Sequence, residues 1–167
     1  MARLLGIDYG SRRIGLAISD PDQIIATPLA VVKAEGQPAQ DAVMLAQLAP
    51  QHEVAEFVIG LPLNKDGSEG KQARVTRQMG EALAHATSLP VNFYDERYTT
   101  HAAIGAMRQA EVRRRKRGVH LDKVAASIML QAFLDARRRA ADEARDGGVS
   151  PPPRHESDDI DPPVAES

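Results

Sequence analysis

Cysteine is absent from this chain, and that absence excludes disulfides, thiolate metal sites and cysteine nucleophiles together. Long apolar runs are missing too: none approaches the roughly 20 residues that a membrane-spanning helix needs. The first residues enter a strand pattern directly, without the basic region and apolar block of a secretory signal, so a cytoplasmic protein with no membrane partner is expected. No two histidines stand at i, i+4, which argues against a helix-borne zinc site. No internal repeat is visible.

What is present is the composition of an ordinary globular protein, 43% apolar and 26% charged over 167 residues, enough for one domain with a real core. The net charge of -2 hides an asymmetry. Residues 142–167 carry eight acids against Arg145 and Arg154, leaving 19 basic and 15 acidic side chains in residues 1–141. The body is therefore mildly basic, with room for a polyanionic partner. The tail, with Gly147-Gly148, Pro151-Pro152-Pro153 and many acids, is expected to be disordered. The division is thus a folded domain over 1–141 and an acidic, Pro-rich tail over 142–167.

Along the body, Arg3 to Gly10 reads as a strand ending in a tight turn, and Ile14 to Ile18 as its hairpin partner. Ile24 to Val32 is a third strand, and Pro28 inside it predicts an edge position or a bulge. Pro38 to Leu48 has helical spacing. Phe57-Val58-Ile59-Gly60-Leu61 is a short continuous apolar run, as in a strand covered on both faces. A loop follows over residues 62–67, then a polar helix from Gly70 to Ser88 with Ala73, Met79 and Leu83 inward, then a strand from Pro90 to Glu96. Thr99 and Thr100 are placed to cap a helix running to about Ala110. Leu121, Val124, Ala125, Ile128, Met129, Ala132 and Phe133 give a last amphipathic helix. A hairpin start followed by alternating strands and helices predicts an α/β fold: a mixed five-stranded sheet, antiparallel first and then parallel, with helices on both faces.

Three acids stand where apolar structure meets a terminus. Asp8 lies inside the first strand, Glu96 ends the fifth, and Asp122 heads the last helix. A carboxylate in an apolar strand costs several kcal/mol, on the order of that or more, unless it is paired or metal-bound. Asp8 alone reads equally as a salt-bridged or turn-capping residue. Together the three suggest a site for a hard divalent cation, Mg²⁺ or Mn²⁺, at the carboxyl edge of the sheet.

Four segments carry a resemblance: Gly6-Ile7-Asp8-Tyr9-Gly10, Ile59 through Gly67, Asp95 through Thr100, and Asp122-Lys123-Val124-Ala125-Ala126. In order and spacing they resemble the YqgF family, whose members look like Holliday-junction resolvases and are assigned as pre-16S rRNA nucleases. The likeness runs from about Arg3 to Ala136. It implies an RNase H-like fold, Asp8, Glu96 and Asp122 as metal-binding catalytic carboxylates, and a structured RNA or branched DNA substrate. Resolvases of this fold often add a fourth acid one helical turn after the last, but here that position is Ala125. Asp135 is too far along the helix, at about 20 Å, so Asp95 or a substrate phosphate would have to complete a second metal site.

Arg113, Arg114, Arg115, Lys116 and Arg117 are the foremost phosphate-binding candidates, against a reading as a solvated loop. Arg97 either steadies a scissile phosphate or pairs with Asp95; Asn64 and Lys65 either touch substrate or form an ordinary turn. Gly10 and Gly15 read as hairpin geometry. Arg137-Arg138-Arg139 reads as a solvated helix end.

The leading expectation is a metal-dependent endonuclease processing precursor 16S rRNA, in contact with RNA or ribosomal particles, as a monomer or homodimer. Cleavage of branched DNA is the alternative, and symmetric cutting would favour the dimer. A non-catalytic RNA-binding module for ribosome assembly is the non-enzymatic reading. An actin-like ATPase would need a second domain for which the chain has no room.

Overall fold

The strand Arg3–Tyr9 (β1) is apolar on both sides because it lies in the middle of the sheet, covered above and below. The computed structural model describes residues 2–99 and 121–147, the last segment without the side chains of 121–123. Within them β2 (Arg13–Ser19) pairs antiparallel with β1, and β3 (Ala26–Lys33) antiparallel with β2. On the other side β4 (Val54–Leu61) runs parallel to β1 and β5 (Val91–Asp95) parallel to β4. The order β3-β2-β1-β4-β5 is the mixed five-stranded sheet expected.

Both readings of Pro28 hold. β3 is an edge strand, and its pairing with β2 slips at the proline: Leu16 faces Ala30 while Ala17 faces Pro28, leaving Leu29 unopposed.

Alternation along β1 separates two cores. Leu5, Ile7 and Tyr9 pack with Ile14, Leu16, Phe57 and Ile59 beneath the helices α1 (Pro38–Ala46) and α3 (Lys71–Thr87). Met79 and Leu83 of α3 are fully buried there, each contributing about 1.5–3 kcal/mol, and Ala73 of the same helix is fully buried too. Leu4, with Ala17 and Val58, faces the other way, onto Ala126, Met129, Leu130 and Leu134 of α4 (Leu121–Asp146). Helices thus cover both faces. At Gly6 the helix rides on the strand backbone: a Cβ there would sit 2.9 Å from Leu130 Cβ.

α4 runs antiparallel to β1. Leu130 lies over Gly6, while Gln131, further along, accepts from Ala26 N at 2.9 Å and donates to Ile24 O at 2.9 Å, at the far end of the sheet. The start of α4 therefore points to the edge where β1 ends and carries the Asp122 backbone toward Asp8.

The structure moves several boundaries. The predicted helix Pro38 to Leu48 breaks at Gln47 into α1 and a short α2 (Leu48–Gln51). Glu96 does not end β5 but opens a 3-10 turn, Glu96–Thr99. α4 continues through Asp146, so residues 142–146, assigned to the tail, are helical; nothing between Leu121 and Asp146 breaks a helix, and the stop falls at Gly147. Arg137-Arg138-Arg139 consequently lies inside the helix and not at its end. Arg137 grips Glu56 (Nη1 to Oε2 2.8 Å, Nη2 to Oε1 2.5 Å) and stacks on Phe133 at 4.6 Å. No helix among the described residues is long and apolar enough to cross a membrane. The helix expected after Thr100 and the tail beyond residue 147 lie outside the described residues.

Candidate active site

Asp8 is the next-to-last residue of β1 and projects to the α4 side, half-buried. It pairs with Gly15 on β2, and the β1–β4 register, Ile7 opposite Ile59, sets Gly60 beside it on β4. Both neighbours lack side chains. β1 and β5 are not adjacent, because β4 lies between them. Glu96 crosses that gap: a Cβ on Gly60 would lie 2.6 Å from Glu96 Oε1. The Glu96 carboxyl occupies the space that any other residue at position 60 would fill. This role of Gly60 was missed in the sequence, although a glycine in an otherwise apolar run marks a close approach.

This placement sets the electrostatics of Glu96. Burial, then the negative charge of Asp8, then that of Asp95, push the Glu96 carboxyl up to about 7. Two carboxylates brought together on an apolar face repel one another unless a proton or a cation intervenes. Hard oxygen donors in that state suit a divalent cation, so the residues present fit the metal that the resemblance implies. Asp122 is the second residue of α4, and its side chain lies outside the described residues.

Arg97 takes the structural pairing. Its Nε lies 3.0 and 2.9 Å from the two Asp95 oxygens and its Nη2 2.6 Å from Oδ2, while Nη1 donates to Lys65 O at 3.3 Å. The guanidinium holds the Asp95 carboxyl below the usual carboxylate range. Asp95 is thus held by Arg97, and in the β4–β5 register it pairs with Leu61, on the α3 side of the sheet.

Asn64 and Lys65 form a turn. Asn64 N donates to Ser68 O at 2.9 Å, Asn64 Nδ2 to Ser68 Oγ at 2.9 Å, and Gly67 N to Asn64 O at 2.9 Å. Arg97 ties this exposed turn to the end of β5, so it borders the same edge as Glu96. Arg113 through Arg117 lie outside the described residues. Tyr9 is buried, its hydroxyl donating to Asp41 Oδ2 at 2.5 Å, whereas Tyr98 is exposed and packs against Tyr94 at 6.1 Å.

Asp8 also opens onto a depression of about 350 Å³ that it shares with Gly10, Ser11, Arg12 and Arg13. Gly10 is required there, since a Cβ would stand 2.5 Å from Arg13 O, the acceptor of its own N–H.

Comparison with known proteins identifies the family and the fold. A family model described as RuvX, Holliday junction resolvase, matches residues 2–136. A protein of Rhodopirellula baltica named as a candidate pre-16S rRNA nuclease is 41% identical over 136 residues, covering 81% of this chain and 78% of its own. One of the same name from Agrobacterium fabrum is 44% identical over 142 residues, covering 83% and 89%. Among solved structures, T. thermophilus RuvC in complex with a Holliday junction substrate superimposes with a TM-score of 0.58 at 17% identity, over 83% of this chain and 97% of that one. A second T. thermophilus RuvC structure gives 0.53 at 18% identity, over 82% and 96%. At such identities the likeness concerns the fold, which is the RNase H-like one.

Proposed function

The chain belongs to the RuvX family of Holliday junction resolvases, and from that membership we propose that it is a divalent-metal-dependent endonuclease of structured nucleic acid, with precursor 16S rRNA as its substrate. The observation that carries the reading is the placement of Asp8 and Glu96 about Gly60, where burial and then the charge of Asp8 push the Glu96 carboxyl up to about 7. Asp8, Glu96 and Asp122 would hold the metal. When bound, Mg²⁺ or Mn²⁺ supplies a Lewis acid that lowers the pKa of water and offsets charge on a phosphodiester.

The chain's own residues do the rest. Asp8 stands at the mouth of an open depression, where a phosphodiester can approach the end of β1 without entering the core. Glu96, its carboxyl set over the bare backbone of Gly60, faces the same side of the sheet as Asp8 and would share the cation with it. Arg97, paired with Asp95 and bonded to the Lys65 carbonyl, is a positioned guanidinium beside the edge. Its place suits a substrate phosphate flanking the reacting one.

The relatives' names favour rRNA; the family description favours four-way DNA. One assay addresses both: wild-type and Asp8→Asn protein with precursor rRNA and with a four-way junction, in Mg²⁺, Mn²⁺ or chelator. Metal-dependent cleavage of rRNA, lost in Asp8→Asn with the fold intact, is the expected result. Cleavage of the junction alone would transfer the activity to DNA, and binding without turnover on either substrate would reduce the protein to an assembly module.

A further inference from the structure

Beside Asp8, on the side away from Glu96, the sheet edge is cationic. Arg12 and Arg13 line the depression that holds Asp8, and the same two arginines with Val31, Val32 and Lys33 line a second one of about 400 Å³. A continuous shallow track therefore leads from Asp8 across the β1–β2 turn to the end of β3. The register explains its composition. Gly15, opposite Asp8, faces the α4 side; Arg13, two residues back on β2, faces the same side, and Lys33 pairs with Arg13 on β3.

The track is firmly held. Gly10 N donates to Arg13 O at 3.0 Å within the turn, Ala34 N donates to Arg12 O at 2.9 Å, and Gln72 Nε2 donates to Tyr9 O at 3.2 Å. The backbone beneath the cations is thereby tied to β3 and to α3. Among the described residues neither the Arg12 guanidinium nor the Lys33 ammonium has an acidic partner, and both residues are exposed.

We propose that Arg12, Arg13 and Lys33 form a binding track for the phosphodiester backbone of the substrate strand, on the flank of the cleavage site opposite Arg97. Strand geometry puts the Arg13 backbone about 8 Å from that of Asp8 and Lys33 about 5 Å beyond. The track is therefore within reach of phosphates that neighbour the one at Asp8 on the same strand. The ligand is the backbone and not the bases: among the described residues no aromatic side chain lines either depression, and charge without stacking gives sequence-independent affinity. This inference rests on the nuclease reading for its ligand.

Binding, measured separately from cleavage, tests it. In an Asp8→Asn background, the affinities for labelled precursor rRNA and for four-way DNA are read by fluorescence anisotropy from 50 to 200 mM salt. Arg12→Ala and Lys33→Ala should each lower the slope of log K against log salt by about 1 and weaken binding irrespective of sequence. Arg12→Lys should keep the slope, since charge and not shape is required. With Asp8 restored, the double alanine variant should raise KM and leave kcat within about twofold. Loss on RNA alone or on DNA alone supports the track and identifies the strand that crosses it. An unchanged slope on both, in a double variant with unaltered thermal unfolding, overturns it. Wild-type protein that binds through the track and cleaves nothing defeats the nuclease reading alone; wild-type protein that cleaves while the double variant binds as before defeats the track alone.

Discussion

Glu96 has two neighbours that set its behaviour, Gly60 beneath it and Asp8 beside it, and each gives a test. Its carboxyl titrates at about 7 in the folded chain against 4.5 ordinarily. The folded state therefore binds the extra proton between those values, and the stability gained from the neutral carboxyl is complete below about 4.5 and lost as pH rises through about 7. The separation is equivalent to about 3 kcal/mol at most, and solvent screening of a half-buried group reduces it to about 1–2 kcal/mol. In chelator, thermal unfolding of the wild type should thus fall from pH 5 to pH 8 more than that of Glu96→Gln, with the gap widest at pH 8. Mg²⁺ at pH 8 should close the gap by raising the wild-type Tm. A parallel pH dependence in both proteins would refute the coupling. Gly60→Ala tests the geometry: its methyl would meet Glu96 Oε1 at 2.6 Å, the movable end of a side chain. The fold should survive with under about 1 kcal/mol lost, while cleavage drops on the order of 100-fold because the carboxyl is displaced.

Among the elements, α4 has the least freedom. Its seating depends on Gly6, where an added Cβ meets Leu130 Cβ at 2.9 Å, an atom fixed to the helix backbone. Gly6→Ala must push the helix outward, costing about 1–3 kcal/mol and lowering Tm by about 2–10 °C. Because α4 carries Asp122, activity should fall further than the stability loss explains; full activity at lowered Tm would show that the head of the helix is not part of the site. Most of these elements were legible in the sequence. The continuous apolar run at Phe57 to Leu61 predicted a doubly covered strand, Pro28 an edge or a bulge, and the stripe from Leu121 to Phe133 a sheet-packed helix. What escaped was the end of α4 and the role of its arginines. A helix stops where a breaker stands, here Gly147, whereas a change in composition at residue 142 breaks nothing. Arg137 was misread because its partner, Glu56, is 81 residues away.

The whole molecule is a mildly basic body joined to an acidic segment. Residues 148–167 carry five acids and Arg154, so their removal takes the net charge from -2 to +2. A chain ending at Gly147 should bind nucleic acid more tightly at 50 mM salt, with the difference fading by about 1 M as the Debye length shrinks to about 3 Å. Equal affinity at low salt would show that the tail's charge does not reach the binding face. Local pattern by itself determined the class of fold, the order of strands and helices, and the three acids worth suspecting, because hydrophobic period and misplaced charge are written along the chain. Only tertiary structure decided that β4 intervenes between β1 and β5, that Glu96 bridges it over a bare Gly60, that Asp95 is bound to Arg97, and that Arg12 and Lys33 share an edge with Asp8. Those facts depend on register between strands and on which face a side chain takes, and neither is specified until the sheet is assembled.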